Sequence, residues 1–125
     1  KGGTLVMHSQ GRQTRDYVFL DDVVRAMIAA STTPNIDRQV FNIGSGKETS
    51  VRELVELVLA LTGNKAEVVE NPRTDPGVAR MCADLSLAKE KLGYQPRLSL
   101  QEGLRRTLYR DRRLTLEHTR PLPPL

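Results

Sequence analysis

Few side chains in this 125-residue sequence have the type and spacing for chemistry at a metal or an electrophile. Cys82 stands alone, with no CxxC or Cys/His partner spacing around it, and reads as a buried, inert thiol in a reducing compartment. His8 and His118 are too isolated to suggest metal ligands. Gly44-Ser45-Gly46 lies between a strand pattern and a helix pattern, where a phosphate-cradling turn would sit. It lacks a third glycine and does not open the chain, so it reads as turn geometry. What remains is a set of arginines and carboxylates. An arginine guanidinium keeps its charge and can bond two oxygens at once.

The distribution of charge narrows the field further. The formal net charge is +4, and the segment from Arg105 to Arg120 holds six arginines against Asp111 and Glu117, which accounts for the whole excess. Aromatic residues make up only 4% of the chain and no stacking platform accompanies these arginines, so a solvated helix face is favoured over nucleic-acid binding. Nucleic-acid binding through this segment would instead show affinity that falls steeply with salt. A hydrophobic content of 38% over this length fits one domain with a modest core. No apolar run approaches the roughly 20 residues that cross a bilayer. Lys1 to Met7 lacks the apolar core of a signal peptide, and a cytoplasmic setting is expected.

The elements that must position these side chains alternate between strand and helix, which predicts a mixed α/β unit. Thr4 to His8 and Tyr17 to Leu20 read as strands. Asp21 or Asp22 then caps a helix whose Val23, Val24, Met27 and Ile28 share one side, ending near Thr33 before Pro34. Gln39 to Ile43 reads as a buried strand, with Asn42 fixing the turn that follows. Ser50 and Glu53 form a capping box ahead of the apolar face of Val51, Leu54, Val55, Val58, Leu59 and Leu61, and Gly63-Asn64 supplies the stop. Ala66 to Glu70 reads as a strand. Asn71 to Gly77 is a polar loop that rejoins regular structure around Met81 to Ala83. Ser86 to Leu92 forms a short helix, capped by Ser86 with help from Asp84 and closed by Gly93. Ser99 and Glu102 repeat the box before Leu100, Leu104 and Leu108, in a helix running to about Arg113.

Several motifs in order resemble a known family. GRQTRDYVFLDD at Gly11 to Asp22 resembles the GxxxxRD(F/Y)(V/I)(Y/F)VDD segment of the extended short-chain dehydrogenase/reductase family of sugar-nucleotide enzymes. VFNIGSGKETSVREL at Val40 to Leu54 resembles its (F/Y)NIGSG turn and helix. ADLSLAKEKLGYQP and SLQEGL resemble its C-terminal pattern, so the resemblance covers about residues 2 to 112. It implies an NAD-dependent epimerase, dehydratase or decarboxylase of which this chain is the C-terminal substrate-binding part. The fold expected is a small mixed α/β subdomain of about four helices with short strands, lacking the N-terminal Rossmann domain. Residues 1–113 would form the subdomain and 114–125 a proline-rich tail.

In that family a tightly held NAD takes a hydride from the sugar, and a Tyr/Lys pair moves the proton. Tyr17, Tyr94 and Tyr109 have Asp21, Leu98 and Arg113 four residues on, so the pair is absent and no catalytic or cofactor-binding residue is assigned. The resemblance places Arg15 beside the diphosphate of a UDP- or dTDP-sugar, with pairing to Asp16 or Asp22 as its structural alternative. Gln13 would face the sugar or nucleotide. The loop NPRTDPGVAR stands where relatives carry R-x-G-D, so Arg73 or Arg80 would bind phosphate and Asp75 the ribose hydroxyls, although the local order differs. The partners implied are a nucleotide-diphosphate sugar and the missing Rossmann domain. Apolar faces left bare by that domain's absence would favour a homo-oligomer. The alternative is a standalone, non-catalytic binding or dimerisation module of the same descent.

Overall fold

A computed structural model describes residues 3–71 and 77–110. Among them four helices and four short strands make the expected mixed α/β unit, in the order β1 (Thr4–His8), β2 (Thr14–Asp16), α1 (Leu20–Thr32), β3 (Glu48–Ser50), α2 (Val51–Thr62), β4 (Glu67–Asn71), α3 (Ser86–Leu92) and α4 (Leu100–Arg110), with β2 and β3 not foreseen. A 3-10 turn, Ser9–Gly11, follows β1. The strands form two separate pairs. β1 runs parallel to β4 with Thr4 opposite Glu67 and His8 opposite Asn71, a pairing that requires the long crossover through both α1 and α2. β2 is antiparallel to β3, with Arg15 opposite Thr49.

The expected Tyr17–Leu20 strand is instead an extended segment beyond the end of β2, and Leu20 already opens α1. Phe19 packs against the backbone of Gly103 in α4, where a β-carbon would lie 3.1 Å from its ring. Gln39–Ile43 is likewise unpaired among the described residues. A strand requires a hydrogen-bonded neighbour, and none lies alongside; Val40 is 82% exposed, while Phe41 and Ile43 pack inward. Met81–Ala83 forms no regular element either and is held by a side chain of β2's last residue, as described below. The core is small: Ala26 of α1, Leu85, Ala88 of α3 and Tyr94 are buried together, flanked by Phe41, Ile43, Ala83 and Leu92.

The caps divide into those that formed and those that did not. Ser50 and Glu53 make the complete reciprocal box, with Ser50 Oγ accepting the Glu53 amide at 3.1 Å and Glu53 accepting the Ser50 amide at 2.7 Å. Replacing Ser50 with alanine is expected to cost about 1 kcal/mol, read as a lower urea midpoint at unchanged slope. Gly63 and Gly93 close α2 and α3 in the left-handed region, at φ 64° and 61°. At α4 only half of the second box exists: Ser99 caps the Glu102 amide, while Glu102 turns to Arg106 instead. Asp84, not Ser86, serves α3, accepting both the amide and the hydroxyl of Ser86.

Asp22 does not cap its own helix. It lies inside the first turn of α1, 1% exposed, and its carboxylate accepts the backbone amides of Arg97 (3.0 Å) and Leu98 (3.2 Å) as well as Arg25. Phe19 precedes α1 at its N-cap position and gives no side-chain cap. The carboxylate therefore joins α1 to the segment that leads into α4, a contact across 75 residues of sequence.

Candidate functional site

Arg15 occupies the middle of β2. Its Nη1 donates to the carbonyls of Thr14 (2.6 Å) and Val78 (2.9 Å), while the Thr14 amide donates to the Ala79 carbonyl (2.9 Å). β2 is thus flanked by β3 on one edge and by residues 78–79 on the other. Successive strand side chains point to opposite faces, so Arg15 and Asp16 diverge and the pairing offered as Arg15's structural alternative does not form. Neither Asp16 nor Asp22 bonds to it, and Arg15 has no carboxylate partner among the described residues.

Arg80 lies just beyond that outer edge. It grips Glu48 of β3 through two hydrogen bonds, Nε to Oε2 at 3.1 Å and Nη2 to Oε1 at 2.6 Å, and Glu48 also accepts the Thr14 hydroxyl at 2.7 Å. Those bonds, from Arg80 first and then Thr14, hold the Glu48 carboxyl down to about 2 and push Arg80 up. Glu48 was not foreseen: its relation to Arg80 exists only through the register of β2 on β3. The pair is exposed, and such pairs exchange partners at little cost. Gln13 is half-buried and gives its carbonyl to the Val51 amide, at the junction of β2 with α2. The structure therefore gathers Arg15, Gln13 and Arg80 around one ribbon. Arg73 and Asp75 lie outside the described residues.

Asp16 fastens the neighbouring GSG turn. Its carboxylate accepts the Ser45 amide (2.6 Å), the Ser45 hydroxyl (2.5 Å), the Gly46 amide (2.9 Å) and the Ala83 amide (3.2 Å). Burial raises the Asp16 carboxyl, but the bonds from Ser45, Ala83 and Gly46 outweigh it and leave it below its ordinary value. Tyr94 adds a hydrogen bond from its hydroxyl to the Gly44 carbonyl at 2.7 Å. Asn42, expected to fix this turn, is exposed, and its side chain makes no hydrogen bond among the described residues. A β-carbon at Gly44 would run into Asp16 and lie 2.8 Å from that of Ala83, so this position needs glycine for close approach. The turn amides are already committed to a carboxylate, and the donor set does not fit the pyrophosphate of a dinucleotide.

Cys82 is exposed, not buried as expected, because its segment crosses the surface beside Asp16. Desolvation first, and then the charges of Asp16 and Glu48, push its thiol up, which disfavours the reactive thiolate. The described part of the basic segment is largely engaged: Arg106 bonds to Glu102, and Arg110 reaches Asp21 and lies 5.7 Å from the centre of the Phe19 ring. Among the described residues no helix is long and apolar enough to cross a membrane, and no cluster of His, Cys, Asp and Glu could hold a metal.

Acid should loosen this ribbon. Glu48, Asp16, Glu53 and Asp84 all titrate below their ordinary values, so their stabilisation is complete above the unfolded value and fades as pH falls through the folded one. The urea midpoint is expected to hold from neutral pH to about pH 5 and then fall toward about pH 2. Glu48→Gln should flatten part of that fall; an identical profile in the variant would remove Glu48 from the explanation.

The fold superposes on parts of solved sugar-nucleotide epimerases. UDP-glucose 4-epimerase from Thermotoga maritima, solved with UDP-glucose, superposes with a TM-score of 0.73 at 42% identity, over 81% of this chain and 32% of that one. UDP-glucuronic acid 4-epimerase from Bacillus cereus, in complex with UDP-glucuronic acid and NAD, gives 0.73 at 31% identity, over 81% and 32%. The class is therefore that of the NAD-dependent sugar-nucleotide epimerases and dehydratases. The family model described as GDP-mannose 4,6 dehydratase matches residues 2–107, and the chain belongs to that family. UDP-glucose 4-epimerase of Mycolicibacterium smegmatis is 39% identical over 107 residues, 86% of this chain and 34% of that protein. The chain spans about a third of the length of the relatives it matches.

Proposed function

We propose that this chain is the substrate-binding portion of an NAD-dependent sugar-nucleotide epimerase, dehydratase or decarboxylase, and that it holds the diphosphate of a UDP- or dTDP-sugar on the β2 ribbon. Arg15 carries the reading. It is a permanent cation on a rigid strand, anchored through carbonyls and left without a neutralising carboxylate among the described residues. A phosphate oxygen supplies the missing charge. Arg80 is the second cation, released from Glu48 when a more strongly charged partner arrives. Gln13 offers an amide to the sugar or base, and Arg73 and Asp75, outside the described residues, are proposed as further phosphate and ribose contacts. The bound forms of the Thermotoga and Bacillus relatives, with UDP-glucose and UDP-glucuronic acid, support this substrate class.

The chain by itself has no Tyr/Lys pair and no dinucleotide cradle, and is inactive alone. Supplied with UDP-glucose and NAD, it should bind the nucleotide sugar and show no interconversion at the sugar. Turnover by the purified chain would overturn this.

The partner that completes the enzyme is a dinucleotide-binding Rossmann domain, and the outer face of α1 supports it. Leu20, Val24, Met27 and Ile28 recur at helical spacing and stand bare, Met27 67% and Ile28 59% exposed. Of the residues whose spacing predicts the helix, Val24, Met27 and Ile28 thus lie on a face turned away from this chain's own core, while Ala26 faces inward. Without a covering domain, that stripe is expected to drive self-association. Ile28→Lys should shift sedimentation toward the monomer; a wild-type chain that is already a monodisperse monomer would contradict the expectation.

A further inference from the structure

A concavity of about 280 Å³ opens beside the ribbon, and nothing assigned so far occupies it. Its polar wall consists of Lys47 and Arg97 with the hydroxyl-bearing Tyr17, Ser45, Thr49 and Ser99, and among the described residues no carboxylate lines it. Lys47 and Arg97 form no ion pair among the described residues. Thr49 stands opposite Arg15 and so shares its face of the ribbon, which places this concavity on the Arg15 side, beyond Tyr17.

The wall is built, not incidental. Asp16 fixes Ser45 and Gly46 on one side, and the buried Asp22 fixes the amides of Arg97 and Leu98 on the other. Both carboxylates turn their oxygens to these clamps, and neither lines the concavity, whose charged lining residues are Lys47 and Arg97. Two cations with no acid among the described lining residues form a receptor for a small oxyanion. The volume of about 280 Å³ lies just below the roughly 300–1,000 Å³ of small-molecule sites and suits a small oxyanion ligand.

We infer that Lys47 and Arg97 form an oxyanion subsite, separate from Arg15, that takes the phosphate or carboxylate group of a small ligand. The test is a ¹H–¹⁵N titration of the 125-residue chain with inorganic phosphate and, separately, with glucuronate. Saturable shifts at Lys47, Arg97 and Ser99 are expected, with binding at least about tenfold weaker in Lys47→Gln/Arg97→Gln, a loss of one charge-assisted contact or more. The single variant Lys47→Gln should show part of that loss, and Arg105→Gln, an exposed cation elsewhere on α4, none. Saturation by phosphate alone identifies a phosphate group, and saturation by glucuronate a carboxylate. Absence of saturable shifts with both probes, or equal binding in the double variant, overturns the subsite. Because both probes lack a nucleotide, the outcome is independent of the nucleotide-sugar reading at Arg15.

Discussion

Replacing Asp22 with alanine is expected to lower the thermal midpoint by about 10 °C, the equivalent of about 3 kcal/mol in a domain of this size. The carboxylate is 1% exposed, and its removal strands the amides of Arg97 and Leu98 together with the Arg25 guanidinium. Unsatisfied donors away from water cost more than the bond they lose. Asp22→Asn should recover little, although it has the same shape. One of its two terminal atoms becomes an NH2 group, a donor facing a donor at either Arg97 or Leu98. A shift below about 2 °C in the alanine variant would mean that water replaces the carboxylate and that the segment before α4 does not depend on it.

The largest effect on binding belongs to Arg15. Arg15→Gln is expected to weaken a UDP- or dTDP-sugar about 10- to 100-fold, the value of one or two charge-assisted hydrogen bonds. Arg15→Lys should recover part of the loss, because an ammonium restores the charge but not the two-pronged geometry. The loss should vanish for the free nucleoside, which has no phosphate. An equal loss for nucleoside and nucleotide sugar would point to a distorted ribbon, since Arg15 also ties Thr14 to Val78.

Sequence reasoning served best where a local rule suffices. The Ser50/Glu53 box and the left-handed stops at Gly63 and Gly93 depend on near neighbours, and they stand as read. The failures share one cause, a partner far along the chain. Tyr17–Leu20 and Gln39–Ile43 carry β-prone residues, yet a ladder needs a second strand, and none lies beside them among the described residues. Asp22 has the type and position of a helix cap, but its acceptors are claimed by amides 75 and 76 residues away. Cys82 reads as buried from its residue type, while its place is set by the surface path beside Asp16.

The site was legible to a similar degree. Arg15 stands out because its motif is contiguous, and the GSG turn reads as turn geometry. What holds that turn, the carboxylate of Asp16, lies 29 residues upstream. The same motif, RDYVFLDD, thus supplies the candidate phosphate ligand and both carboxylate clamps of the ribbon's surroundings. The pairing of Arg80 with Glu48 could not be read at all, because 32 residues and a strand register separate them.

The most direct measurement is a ¹H–¹⁵N titration of the chain with UDP-glucose, with NAD titrated in parallel. Saturable shifts confined to Thr14, Arg15, Thr49 and the segment 78–80, with none from NAD, are the expected result. Shifts clustered on α2 and the β1–β4 pair, or saturation by NAD with none by UDP-glucose, would contradict a nucleotide-sugar site on the Arg15 ribbon.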